Sequence, residues 1–149
     1  MNRFSAIAVT FAAIALLFLS GCSTVPPLPP KAAEMNRAGA EAFARGEYEL
    51  ASARLHVAIE YSPRFTEAWV NLGLVEMKRG NLHEAMKDLG KARSFNPDLP
   101  APHHALGVVD EVRGKPEAAE KHYRAALKVD PGFAASRANL GRLLFARGA

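Results

Sequence analysis

The dipeptide Arg-Gly recurs at Arg45-Gly46, Arg79-Gly80, Arg113-Gly114 and Arg147-Gly148, 34 residues apart each time. Other columns keep the same register: Gly39, Gly73, Gly107 and Gly141; Ala51, Ala85 and Ala119; Ala58, Ala92 and Ala126; Pro63, Pro97 and Pro131. A chain that repeats its chemistry at a fixed interval cannot enclose one irregular core. Each interval is a supersecondary unit that buries its apolar face only by stacking on its neighbours.

The columns in the second interval read Trp69, Leu72-Gly73, Gly80, Ala85, Leu89, Ala92 and Pro97. In the third they read His103, Leu106-Gly107, Gly114, Ala119, Tyr123, Ala126 and Pro131, and in the first Met35, Ala38-Gly39, Gly46, Ala51, Leu55, Ala58 and Pro63. This pattern resembles the tetratricopeptide repeat family. The departures are His103 in the tryptophan place, and Glu76 and Asp110 where an aromatic is common.

The resemblance implies an all-α, right-handed superhelical solenoid of about three repeats (32–65, 66–99, 100–133) plus a terminal helix (134–149). Each column then has a physical task. Gly39, Gly73 and Gly107 let the second helix of each pair approach, with Leu55, Leu89 and Tyr123 filling the space between. Gly46, Gly80 and Gly114 take left-handed geometry just past the first helix. Pro63, Pro97 and Pro131 end the second. Seven helices are expected, at 33–45, 48–61, 66–79, 82–95, 100–113, 116–129 and 134–147.

Ahead of the repeats stands an apolar run from Phe4 to Leu19, preceded by Arg3. Its 16 residues would reach about 24 Å as a helix, short of the roughly 30 Å of a bilayer core. A basic start, a short apolar stretch and the small residues Ser20 and Gly21 describe a cleaved secretory signal over residues 1–21. Leu19-Ser20-Gly21-Cys22 is similar to the lipobox of bacterial lipoproteins, which implies a diacylglycerol thioether on Cys22. Cys22 is the only cysteine, so no internal disulfide can form and modification explains the lone thiol. Two or more acyl chains suffice for stable anchoring. Ser23 after the cysteine implies, by the family's sorting rule, the outer membrane on its periplasmic side. Residues 22–31 form a linker whose Ser23–Pro30 stretch holds four prolines and should run as extended polyproline.

No constellation suggests an enzyme. Net charge is +4, its lysines and arginines are scattered, and nucleic-acid binding is not expected. His103 and Asp110 lie seven apart, on one helix face. The positions four residues beyond each histidine are Gly107 and Val108, so no metal set forms. His103 is read as filling the tryptophan place and Asp110-Glu111 as a solvated face. No cofactor is expected beyond the lipid on Cys22.

Function is therefore expected on the concave surface, which in this family is lined by the first helix of each pair. The resemblance places Asn36, Ala40 and Phe43, then Val70, Asn71, Leu74 and Met77, then His104, Val108 and Glu111 there, with Ala138, Arg142 and Phe145 from the last helix. Packing between units is an alternative role for any of them. Carboxylate-gripping relatives carry cations where this chain has Ala101 and Ala105, so an apolar strand or amphipathic helix is the expected ligand.

The last helix is apolar almost all round, with Leu140, Leu143, Leu144 and Phe145. It is a cap tucked on the sixth helix, a self-association surface that would make homo-oligomers, or the start of a longer array. The expectation is a membrane-anchored periplasmic adaptor, resembling the lipoproteins that escort a pilus secretin. A scaffold for peptidoglycan enzymes and a structural, self-associating lipoprotein are the alternatives.

Overall fold

The computed structural model describes residues 27–148, all but a few of them in seven helices and the short turns between them. They are α1 (Pro30–Ala44), α2 (Tyr48–Tyr61), α3 (Thr66–Lys78), α4 (Leu82–Phe95), α5 (Pro100–Val112), α6 (Pro116–Val129) and α7 (Ala134–Ala146). The signal, Cys22 and the first part of the linker lie outside the described residues. Among the described residues no helix is long and apolar enough to cross a membrane.

The expected helices are present and the boundaries agree closely. The main difference is at the start, where α1 takes in Pro30 and Lys31 from the expected linker. A proline at the first helical position gives up an N–H that has no partner there anyway, and its φ is already helical. Pro100 and Pro116 open α5 and α6 in the same way.

Each odd helix ends in one motif. Gly46, Gly80 and Gly114 have φ of 78°, 84° and 70°, a region closed to most side chains. The amide after each glycine donates back into the helix: Glu47 to the Ala42 carbonyl at 3.0 Å, Asn81 to Glu76 at 2.9 Å and Lys115 to Asp110 at 2.8 Å. This paired closure satisfies carbonyls the helix end would otherwise orphan.

Helices α1, α3 and α5 each pack on their successor, and that successor packs on the next odd helix; α1 also touches α3, and α3 touches α5. Within each pair the glycine column sets the spacing. A Cβ at Gly39 would lie 2.7 Å from Leu55 Cγ, at Gly73 2.6 Å from Leu89 Cγ, and at Gly107 2.6 Å from Tyr123 Cε1. Leu55, Leu72, Val75, Leu89, Val109 and Tyr123 are fully enclosed, each contributing about 1.5–3 kcal/mol by leaving water.

Three acids lie in this interior: Glu76, Asp88 and Asp110. Asp88 accepts from Lys91 Nζ at 3.4 Å. Glu76 accepts hydrogen bonds from Arg79 Nη1 at 2.8 Å and Asn81 Nδ2 at 2.6 Å. Asp110 is 3% exposed, which corrects its reading as part of a solvated face. It accepts from Arg113 Nη1 at 2.9 Å and lies 3.5 Å from His122 Nε2 on α6. Buried carboxylates need such partners to offset lost hydration.

The tryptophan column also has a polar task. Trp69 Nε1 donates to the Pro63 carbonyl at 2.8 Å, and Arg137 Nη2 donates to the Pro131 carbonyl. His103 stands between them in register, and its buried Nδ1 has no hydrogen-bond partner. At the end of the stack, Leu140 and Leu143 pack with Ala119 and Tyr123 of α6, and Leu144 lies half-buried at the edge. This is the tucked cap for those three residues. Phe145 is the exception, at 86% exposed.

Candidate functional site: the inner row of helices

The odd helices α1, α3, α5 and α7 stand in a row because each unit places its first helix on the same side of the stack. Repeat spacing therefore carries equivalent positions into neighbouring helices. Asn36 and Asn71 are 35 residues apart, one repeat plus one, and Asn71 Nδ2 donates to Asn36 Oδ1 at 2.9 Å. That bond ties α1 to α3 and leaves each amide with further donor or acceptor capacity.

A larger polar cluster joins α5 to α7. His104 Nδ1 is 3.0 Å from Ser136 Oγ. The imidazole lies between Tyr123 and Phe133, each with ring centres 5.5 Å away. Burial holds His104 below the ordinary histidine range, with Glu111 pulling weakly the other way. Glu111 takes a proton donor on each oxygen: the Tyr123 hydroxyl on one and Arg142 Nη2 on the other. Asn139 Nδ2 donates to the same Tyr123 hydroxyl at 3.3 Å. Burial first, and then the Glu111 carboxylate, push the Tyr123 phenol far above its usual value, so it remains a hydrogen-bond donor.

The apolar members divide. Val70 is 8% exposed and sits in a core cluster with Ala105, Leu106 and Val109 of α5. It belongs to the packing between units and is closed to a partner. Leu74 and Met77 lie half-buried at the rim of that cluster, and Phe43 and Val108 do the same in the clusters on either side. Phe43 is also tilted against Tyr48, with ring centres 5.8 Å apart. Ala40 is half-buried, Ala138 and Arg142 are exposed, and Phe145 is open to solvent.

The row thus presents half-buried apolar side chains in its middle, an amide pair at one end and a hydrogen-bonded ion pair at the other. Its polar residues already hold one another, so the surface is formed before any ligand arrives. Ser136, Asn139 and the Tyr123 hydroxyl were not singled out from sequence. The one available signal was Tyr123 standing in a column otherwise held by Leu55 and Leu89. Among the described residues no group of three or more His, Cys, Asp or Glu side chains could hold a metal ion.

Seven antiparallel helices in 34-residue pairs, with an inner row of first helices, define an α-solenoid built for recognition. The tetratricopeptide repeat model matches residues 36–98 and 104–149, and the chain belongs to the tetratricopeptide repeat family. Over 79 residues, 53% of the chain, it is 35% identical to the type IV pilus assembly protein PilF of Pseudomonas aeruginosa. That match spans 31% of PilF, so the chain corresponds to about a third of this relative.

Solved structures of the same fold include the first such domain of Spaghetti (RPAP3) bound to an HSP90 peptide, SRMEEVD. It has TM-score 0.71 and 19% identity, with 80% of this chain and 94% of that one covered. The Arabidopsis OM64 domain superimposes with TM-score 0.71 at 17% identity over 78% and 96% of the two chains. The first domain of human RPAP3 does so with TM-score 0.73 at 19% identity over 79% and 93%. At these identities they establish the fold alone. Proteins of this family generally act as adaptors.

Proposed function

We propose that this chain is a non-enzymatic adaptor, held by lipid on Cys22 at the periplasmic side of the outer membrane, that grips a partner protein along its inner row during pilus assembly. The observation that carries the binding surface is the run of half-buried apolar side chains Phe43, Leu74, Met77 and Val108 across three successive odd helices. Residues already half covered lose little freedom on binding and still have apolar area to remove from water. Methionine adapts to differing partner shapes. The likeness to PilF supports the pilus setting, and an outer-membrane secretin is the partner proposed. Ala101 and Ala105 leave no cations for a terminal carboxylate, which favours an amphipathic helix or an apolar strand as the bound element.

One fractionation experiment separates the parts of this reading. Unaltered chain should fractionate with the outer membrane and co-purify a secretin from it. Cys22→Ser should shift the chain to the soluble fraction. Leu74→Glu with Met77→Glu should leave it on the membrane, with helicity unchanged by circular dichroism, and lose the secretin. A double variant that still brings the secretin down refutes the surface, and a membrane-bound Cys22→Ser chain refutes the anchor.

A further inference from the structure

The turns at the two edges of the stack differ in chemistry. Those leading from an odd helix to its partner, Arg45–Glu49, Arg79–His83 and Arg113–Glu117, hold seven Arg, Lys and Glu residues. Those leading back, Tyr61–Phe65, Phe95–Leu99 and Val129–Phe133, are equally long and hold three charged residues. Each of these sets a proline midway between two large apolar side chains, and Pro29 stands one period earlier. Successive helices are antiparallel, so the three proline turns and the start of α1 share one edge. Phe65 packs against the cluster that contains Met35 of α1. Arg64 of the first turn lies over the Phe95 ring of the second, 5.5 Å from its centre.

This edge is fixed and apolar at its surface. The Pro63 and Pro131 carbonyls are tied to Trp69 and Arg137. Pro63, Pro97 and Pro131 are exposed, Tyr61 is 54% and Leu28 41% exposed, and Phe65, Phe95, Leu99 and Phe133 are half-buried.

We propose that the proline edge docks on the phospholipid headgroups of the membrane that anchors Cys22; this inference rests on the lipid anchor proposed above. Two observations name that occupant. Pro30 follows Cys22 by eight residues, about 25 Å of polyproline, and the chain enters the stack at this edge. The 15 residues of α1 carry the charged edge about 22 Å further along the helix axis. A surface tethered so closely meets the bilayer at high effective concentration, so weak contacts suffice. The second observation is composition. Aromatic rings beside polar backbone suit the headgroup level, and Lys31 and Arg64 balance Asp98 and Asp130 along the edge. The inner row is built from helix sides rather than helix ends, so this placement leaves it uncovered.

The chain from Cys22 onward contains every described residue and one cysteine. Coupling that thiol to a maleimide phospholipid, in vesicles of phosphatidylethanolamine and phosphatidylglycerol, fixes the anchor chemically. The edge is thereby tested apart from lipidation, which mass spectrometry of Cys22 in cell-derived protein decides. Trp69 is the only tryptophan and stands behind the Pro63 turn, where a nitroxide on the lipid headgroup can quench it. Its emission should fall in the coupled chain. An indole moved to the opposite edge, by Trp69→Phe with Tyr48→Trp, should keep its emission. Leu28→Glu with Tyr61→Glu, both at exposed positions, should abolish the quenching of Trp69 with helicity unchanged by circular dichroism. Quenching at neither position, at both equally or at position 48 alone overturns the proposal, as does quenching that survives the glutamate pair. So does a dimer of the uncoupled chain in sedimentation that the same pair dissolves, because a second copy would then cover the edge.

Discussion

Adding one methyl group to a glycine has opposite consequences at two places in α3 and α4. At Gly73 the new Cβ would stand 2.6 Å from Leu89 Cγ and 3.2 Å from the Ala85 carbonyl oxygen, inside a packed pair of helices. Gly73→Ala should therefore cost about 1–3 kcal/mol as the pair is forced apart. At Gly90 a Cβ meets nothing within 4 Å, and Gly90→Ala should add about 0.5–1 kcal/mol by restraining the unfolded chain and favouring helix. Urea unfolding of the two variants checks both; equal shifts of the same sign would contradict the close-approach role of the column. That role was legible from spacing alone, because the glycine recurs wherever a large side chain recurs 16 residues later. The burial of Asp110 was not. Its partner His122 lies 12 residues on, across a turn, and only the angle between α5 and α6 brings the two together. Val70 was misplaced for a similar reason: the residues that cover it, Ala105, Leu106 and Val109, belong to the next unit.

At the level of helices, boundaries were legible because glycine and proline mark both ends of each pair, and α1 began early only because proline tolerates a first turn. The chemistry between helices was harder to read, and around α5 it gives the fold a pH dependence. Burial is the leading cause that lowers His103, His104 and His122; for His122 the Asp110 carboxylate opposes it. The native state thus favours neutral imidazoles, while unfolded histidine titrates near 6.5. Stability from these groups is fully present above that value. It falls as pH drops below it, because the unfolded chain takes up protons that the native one resists. Asp88, pushed up by burial, acts in the opposite sense, but only in the lower, carboxylate range. The urea midpoint should fall between pH 7 and pH 5.5, and His103→Phe should shrink that fall. A midpoint that rises on acidification would contradict the neutral, buried assignment.

As a whole molecule the chain is a short stack in which each pair depends on its neighbours, and its inner row is the surface common to all pairs. The row was legible from the family register, and Asn36 and Asn71, one repeat plus one residue apart, meet across it. Its pre-organisation was not, because Ser136, Asn139 and the Tyr123 hydroxyl act through contacts between units. The lipid anchor proposed at Cys22 would hold the N-terminal end of the chain at a membrane. Site-specific photocross-linking in cells measures use of the inner row directly, with the reactive side chain placed either at Leu74 on that row or at Glu60, exposed on α2. The account predicts one discrete adduct from position 74, the same adduct from Val108, and none from position 60. Adducts from position 60 alone, or equal labelling from both faces, would contradict it.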